Sequence, residues 1–334
     1  MNKLHKIGVS ALCGSLAGMS AAYAGDLTVS GGADMTWMSK SGGETGNPIG
    51  IGSDFAFAGS GELDNGWTVD LSIAHTSLGA YSNANVTIGV PALGDIRIDQ
   101  GTSGTGIQRY DDITPTVWEE ADGAGLSAGI NKIAGTSAGG TVEITPSALT
   151  PDGVTVHVAY SGDADSGNTG DKSTGGASGI LGAGWDLTVE ASGDALGYDG
   201  LTVYAGISQV DAMQNAGTQS GDVSEKVFGA KYAAGAFTVG YQKTNEDTGA
   251  TGVTDYDNIA YAVTFNVNDD LSIGYGHVES DNGTVTAEAD SLQVAYTMGG
   301  ASWRIAEVNV DNATYSTASS ADQDATIISL GLAF

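Results

Sequence analysis

Apolar residues recur at every second position in short runs along nearly the whole chain, and this alternation limits the folds open to it. Thr326, Ile328, Leu330, Leu332 and Phe334 share one parity, and Ala325, Ile327, Ser329, Gly331 and Ala333 share the other. Trp67, Val69, Leu71 and Ile73 repeat the pattern, as do Leu201, Val203, Ala205 and Ile207. Successive side chains of a strand point to opposite faces, so each run has one apolar face. A water-soluble sandwich alternates too. The difference lies in the second face. Thr238, Gly240 and Gln242, like Ser272, Gly274 and Gly276, are too small and polar to fill a dry core. Strands of this kind suit a closed barrel with lipid outside and water inside.

The alternation predicts strands at 26–38, 53–63, 66–78, 84–90, 94–100, 141–146, 153–161, 184–192, 200–210, 222–233, 236–243, 256–267, 270–279, 288–299, 301–311 and 324–334. The strand boundaries are least sharply marked at 141–146 and 184–192. Sixteen is an even number, which returns both chain ends to one side of a membrane. Short connectors within or beside Leu63–Gly66, Pro91–Gly94, Thr150–Gly153, Ala233–Gly235, Asn268–Asp270 and Met298–Gly300 are rich in the Asn, Asp and Gly of tight turns. The intervening connectors, at 39–52, 79–83, 101–140, 162–183, 211–221, 244–255, 280–287 and 312–323, are long except for 79–83. The expected fold is all-β: a 16-stranded antiparallel transmembrane β-barrel with long external loops and short periplasmic turns. Trp67, Tyr232, Phe237, Tyr296, Trp303 and Phe334 fall near the short-turn ends and Trp185 near the opposite rim, as interfacial aromatic girdles would.

Residues 1–24 read as a secretory signal peptide. Lys3 and Lys6 precede an apolar stretch from Ile7 to Met19, and Ala22-Tyr23-Ala24 has the small-x-small form of a cleavage site. The stretch is short for a spanning helix, so residues 25–334 are expected to form the mature barrel. The single cysteine, Cys13, falls in this leader, which excludes a disulfide framework and a thiolate metal site. Forty acidic residues against 11 Lys plus Arg give a formal charge of -29, which argues against nucleic acid as a partner.

A connector as long as 101–140 points to function or disorder. Ile107, Tyr110, Ile113, Val117 and Trp118 give it apolar anchors. A sixteen-stranded lumen is wide enough to need an obstruction if it is to sort solutes by size. This segment, the third external loop, is expected to fold inward and supply one. It carries Asp111, Asp112, Glu119, Glu120 and Asp122, and carboxylates crowded in a narrow passage attract cations. The alternative is an acidic loop in solvent. The three arginines are Arg97, Arg109 and Arg304. Arg97, between Ile96 and Ile98, turns away from lipid together with Asp95 and Asp99. Arg304, between Trp303 and Ile305, does the same. Facing the loop, Arg97 and Arg304 would set a transverse field across the constriction. Arg109 suits a structural ion pair between loop and wall at least as well.

The leader, the opening strand Asp26-Leu27-Thr28-Val29-Ser30-Gly31, the run Leu93-Gly94-Asp95-Ile96-Arg97-Ile98 and the last strand ending in Phe334 resemble the general diffusion porins of Gram-negative outer membranes, the alphaproteobacterial type especially. The resemblance implies a homotrimer of water-filled pores that pass small hydrophilic solutes and ions passively. It also implies an eyelet formed by the third external loop, and a terminal Phe334 read by the outer-membrane assembly machinery. Relatives set an arginine cluster against the acidic loop. Here only Arg97 and Arg304 can serve, so the expected pore prefers cations more strongly. Members also hold calcium, and Asp163, Asp165, Asp171, Glu246, Asp247, Asp255 and Asp257 offer oxygen ligands for it. No segment has EF-hand spacing, so solvated loop charge is the default reading and structural calcium the alternative; no cofactor is required.

No enzyme is expected. Beyond the leader, His75, His157 and His277 lie on separate strands, with no serine in a nucleophile elbow and no zinc-ligand spacing. His75 and His277 fall on the lipid-facing parity and His157 on the lumen parity. A substrate-selective channel of the same fold and a secreted, soluble β-rich surface or adhesion protein are the alternatives. Solubility of the folded chain without detergent would favour the last.

Overall fold

The computed structural model describes residues 24–41, 46–76, 80–102, 104–111, 113–165, 180–213, 221–252 and 255–333. The strands are β1 (Ala24–Ser41), β2 (Ile49–Glu62), β3 (Thr68–Thr76), β4 (Ala80–Val90), β5 (Gly94–Asp99), β6 (Thr141–Thr145), β7 (Val154–Ser161), β8 (Leu181–Ser192), β9 (Leu201–Ala212), β10 (Val223–Ala234), β11 (Phe237–Asp247), β12 (Tyr256–Asn266), β13 (Leu271–Asp281), β14 (Thr286–Met298), β15 (Ala301–Asp311) and β16 (Gln323–Ala333). Each pairs antiparallel with its sequence neighbours, and β16 closes on β1. The result is the 16-stranded antiparallel barrel that the alternation predicts, with β6 and β8 present where the boundaries are least sharply marked in the sequence. Closure pairs the strand edges, as a membrane-spanning sheet requires. Residues 1–23 of the expected leader, Asp112, Asp171 and Phe334 lie outside the described residues.

Large apolar side chains are exposed around the outer surface, among them Val29, Ile51, Leu71, Ile98, Val158, Leu187, Ile207, Val239, Leu292 and Ile305. So extensive an apolar surface fits lipid and would be a liability in water. Trp67, Tyr232, Phe237, Tyr296 and Trp303 are exposed near the short-turn end, and Trp185 near the other. Among the described residues no helix is long and apolar enough to cross a membrane; the strands make the crossing.

Two features differ from the sequence expectation. The connector expected to be long at 280–287 closes in four residues between β13 and β14. There Asn282 Oδ1 accepts from the N–H groups of Thr284 (3.0 Å) and Val285 (2.9 Å), a side-chain mimic of a backbone turn. The second difference is larger. On the external half of β13–β16 the inward face is dry: Val278, Ala289, Ala306, Val308, Val310, Ala325 and Ile327 bury against Ala121, Ala124, Leu126 and Ala128. The outward parity there carries Glu279, Glu288, Glu307 and Asp324. Amphipathicity therefore inverts along single strands. Small inward residues leave room for a second layer of chain, and outward carboxylates suit strands that rise past the hydrocarbon into the headgroup region.

Candidate functional site

Followed across the wall, the register brings one residue from each of nine strands into a row: Asp70, Thr87, Arg97, Glu143, Ala159, Asp186, Ser208, Glu225 and Glu246. Four of its carboxylates receive donors from the 101–140 segment. Glu143 accepts from the N–H of Gly106 (2.7 Å) and from the Arg109 guanidinium. Asp186 accepts from the N–H groups of Ile107 (3.2 Å) and Thr136 (3.1 Å) and from the Thr136 hydroxyl (2.8 Å). Glu225 accepts from the N–H groups of Ala134 (2.9 Å) and Gly135 (2.7 Å), and the Asn131 amide donates to Glu246. Buried backbone N–H groups in irregular chain must find acceptors. The row supplies them to the outgoing and the returning arm of the loop alike.

Apolar packing continues the attachment. Ile107, Tyr110 and Ile133 cluster with Tyr204 and Val227 of the wall. The Tyr110 and Tyr204 rings stack at 4.6 Å. Gln242 bridges the two residues, accepting from the Tyr204 hydroxyl (2.8 Å) and donating to Tyr110 O (2.7 Å). Burial, and after it the charge of Glu190, pushes the Tyr110 phenol up to about 12, so it stays neutral in its niche. Farther along, the loop meets wall glycines. Pro115 occupies the space a Cβ at Gly240 would need, and Val117 Cγ2 would lie 2.6 Å from one at Gly274. Only glycine allows so close an approach. Gly125 then lies against Ile327 and Met38, and Thr314 N–H donates to Ala128 O (2.7 Å). Chain that contacts one face of strands from β6 round to β16 and β1 runs inside the cylinder.

The sequence-derived candidates are placed as follows. Glu119 is exposed. Asp111, Glu119, Glu120 and Lys132 line a cleft of about 30 Å³ between the loop and β11–β14. Lys132 pairs with Glu120 (3.0 Å) and with the buried Asp122 (3.4 Å). Arg109 pairs with Glu143. Arg97 pairs with Asp99 (2.7 Å) and donates to Gly104 O (3.3 Å). Arg304 pairs with Asp34 (3.1 Å), and its guanidinium carbon lies 5.8 Å from the centre of the Trp118 ring. Each of these two wall arginines therefore has a wall carboxylate beside it. His157 Nδ1 lies 3.5 Å from Glu143 Oε1, whereas His75 stacks on Phe55 and His277 on Tyr261 among the outward residues. Among the described residues no three His, Cys, Asp or Glu converge as metal ligands.

Residues 8–302 match the family of Gram-negative porins. The chain belongs to that family. Among solved structures, this porin is similar to OmpF of Salmonella typhi (14% identity, TM-score 0.68, covering 93% of this chain and 98% of that one). It is also similar to the anion-selective porin of Comamonas acidovorans (13% identity, TM-score 0.65, covering 92% and 99%). OmpT of Vibrio cholerae matches at 15% identity with a TM-score of 0.63, covering 93% and 98%. Among curated proteins, none matches by sequence. Identities this low establish a shared fold.

The porin barrel has the architecture of an outer-membrane diffusion channel, and its outward apolar surface meets outer-membrane lipid. Sequence reasoning missed the wall residues that hold the loop: Glu143, Asp186, Glu225, Gln242 and Gln293. A signal existed for four of them: Gln293 lies between Leu292 and Val294, and Gln242 shares the small polar face of Thr238 and Gly240. Glu143 lies between Val142 and Ile144, and Asp186 between Trp185 and Leu187, so alternation turns both inward.

Proposed function

We propose that this porin, of the alphaproteobacterial type, forms a water-filled pore for passive diffusion of small hydrophilic solutes and ions, with a preference for cations. The 101–140 loop narrows the passage, and its carboxylates at Asp111, Asp112, Glu119 and Glu120 set the ion preference. Asp122, buried against Lys132, contributes less. One observation carries the reading. Arg97 and Arg304 are each matched by a wall carboxylate, while Glu119 stays exposed on the loop, so little positive field is left to offset the acidic side. Arg109 acts as a staple through Glu143. The protein works without catalysis or cofactor. Residues 1–24 serve export, Phe334 is the assembly signal, and the mature barrel forms a homotrimer whose contacts use the same apolar outer surface as lipid.

Single-channel recording in a planar bilayer under a potassium chloride gradient tests the reading. The expected reversal potential has the cation sign. Changing Asp111, Asp112, Glu119 and Glu120 together to their amides is expected to lower the cation-to-anion permeability ratio by roughly threefold or more. A chloride preference in the unmodified protein, or a ratio untouched by the four amides, contradicts it.

A further inference from the structure

One wall side chain makes three hydrogen bonds to the tip of the inward loop. Gln293, on β14, is 4% exposed. Its Oε1 accepts from the N–H groups of Trp118 (3.0 Å) and Glu119 (3.1 Å). Its Nε2 donates to Glu119 O (2.6 Å) and to Ser291 Oγ (3.0 Å). Both ends of the amide are thus committed, and three of the four bonds go to two consecutive loop residues. Glutamine suits this position because it offers an acceptor and a donor on one planar group. A carboxylate could accept from both N–H groups but could not donate to Glu119 O.

This grip decides more than where the tip lies. It also decides which of the two side chains faces the wall arginine. Trp118 stands against Arg304, and Glu119 is exposed. The indole face attracts the guanidinium without neutralising it. Asp34, 3.1 Å from Arg304, supplies the counter-charge. A slip of one residue at the tip would exchange Trp118 and Glu119, bringing a carboxylate onto Arg304 and withdrawing its charge from the passage.

We propose that Gln293 is a positioning residue for ion selection, and that Trp118 is a spacer that keeps the Glu119 carboxylate off Arg304. The proposal rests on the cation-preferring reading above and deepens it. Gln293 acts only through the loop register. Trp118 acts by occupying the place where an Arg304–Glu119 pair would otherwise form.

The test compares the unmodified porin with Gln293→Met, Trp118→Leu, Trp118→Phe and Glu119→Gln in planar bilayers. Reversal potential in a potassium chloride gradient is the readout, and resistance of the folded band to SDS before heating controls for the barrel. Q293M and W118L are expected to lower the cation-to-anion permeability ratio about twofold or more with the folded band unchanged, whereas W118F, which keeps a ring over Arg304, stays near the unmodified value. Glu119→Gln is expected to lower the ratio alone and to lower it by clearly less on top of Trp118→Leu. Should Q293M fail to assemble, the Trp118 pair decides the matter. A cation-preferring parent whose W118L and Q293M variants keep its ratio, or a full additional effect of E119Q on W118L, overturns the positioning proposal and leaves the parent reading standing. A parent without cation preference overturns both.

Discussion

Replacing Asp186 by alanine is expected to release the 101–140 loop while leaving the barrel closed. Asp186 is fully buried and takes donors from both arms of the loop, Ile107 on the way in and Thr136 on the way back. Its strand is held by backbone pairing to β7 and β9, which the substitution does not touch. Removing the carboxylate also removes its own desolvation cost. The loss therefore comes from the three donors left buried without an acceptor, about 1–3 kcal/mol for each. Glu143 and Glu225 each hold only one arm by its backbone N–H groups, so neither replaces Asp186 as the acceptor shared by both arms. The open-channel conductance is expected to rise roughly twofold or more, with added current noise, if the loop is the narrowest obstruction in the lumen. Protease cleavage within 104–140 should appear while the folded band keeps its heat resistance. Asp186→Asn, which keeps one acceptor, should fall between the two. Unchanged conductance with a protected loop would show that the row is not what holds it.

The second large effect concerns the two faces of one strand. Val263 and Thr264 are neighbours on β12, and Val263 shares the exposed outer parity with Tyr261. Thr264 lines an open chamber of about 500 Å³ beneath the loop with Thr238 and Lys231. An arginine that faces lipid near the midplane costs about 2–4 kcal/mol, whereas a wet lumen wall accepts it. Val263→Arg is therefore expected to lower folding stability in lipid vesicles by that amount. Thr264→Arg should be close to neutral, since Lys231 already places a cation in the same chamber. Urea titration of the vesicle-inserted protein measures both. Equal costs would mean that the assignment of faces is wrong.

The strands were legible because alternation is a local signal, and each strand carries it independently. Even the short run around Val142 and Ile144 shows an apolar pair with Glu143 between them. The pairing of Arg97 with Asp99 was half legible, since two residues of one parity necessarily share a face. The carboxylate row was not. Glu143, Asp186, Glu225 and Glu246 come together only through the register of successive strand pairs, and each meets a loop donor far away in sequence. The dry seat on β14–β16 escaped for a different reason. Ala289, Val308 and Ala325 look like ordinary lumen or lipid residues until the loop lies across them. The tight turn at Asn282 was hidden by Gly, Asn and Asp residues that serve long loops and short turns equally well.

The division between lipid and water is best tested on β3, which lies away from the loop. Cys13 precedes the barrel, so a Cys13→Ser chain is a clean background for single cysteines at 69 to 74, each carrying a fluorophore, in lipid vesicles. Labels at Val69, Leu71 and Ile73 are expected to be quenched by brominated lipid and shielded from aqueous iodide. Labels at Asp70, Ser72 and Ala74 are expected to show the reverse. Quenching by one agent alone at all six positions, without alternation, would contradict a barrel that meets hydrocarbon on one face and a wet lumen on the other.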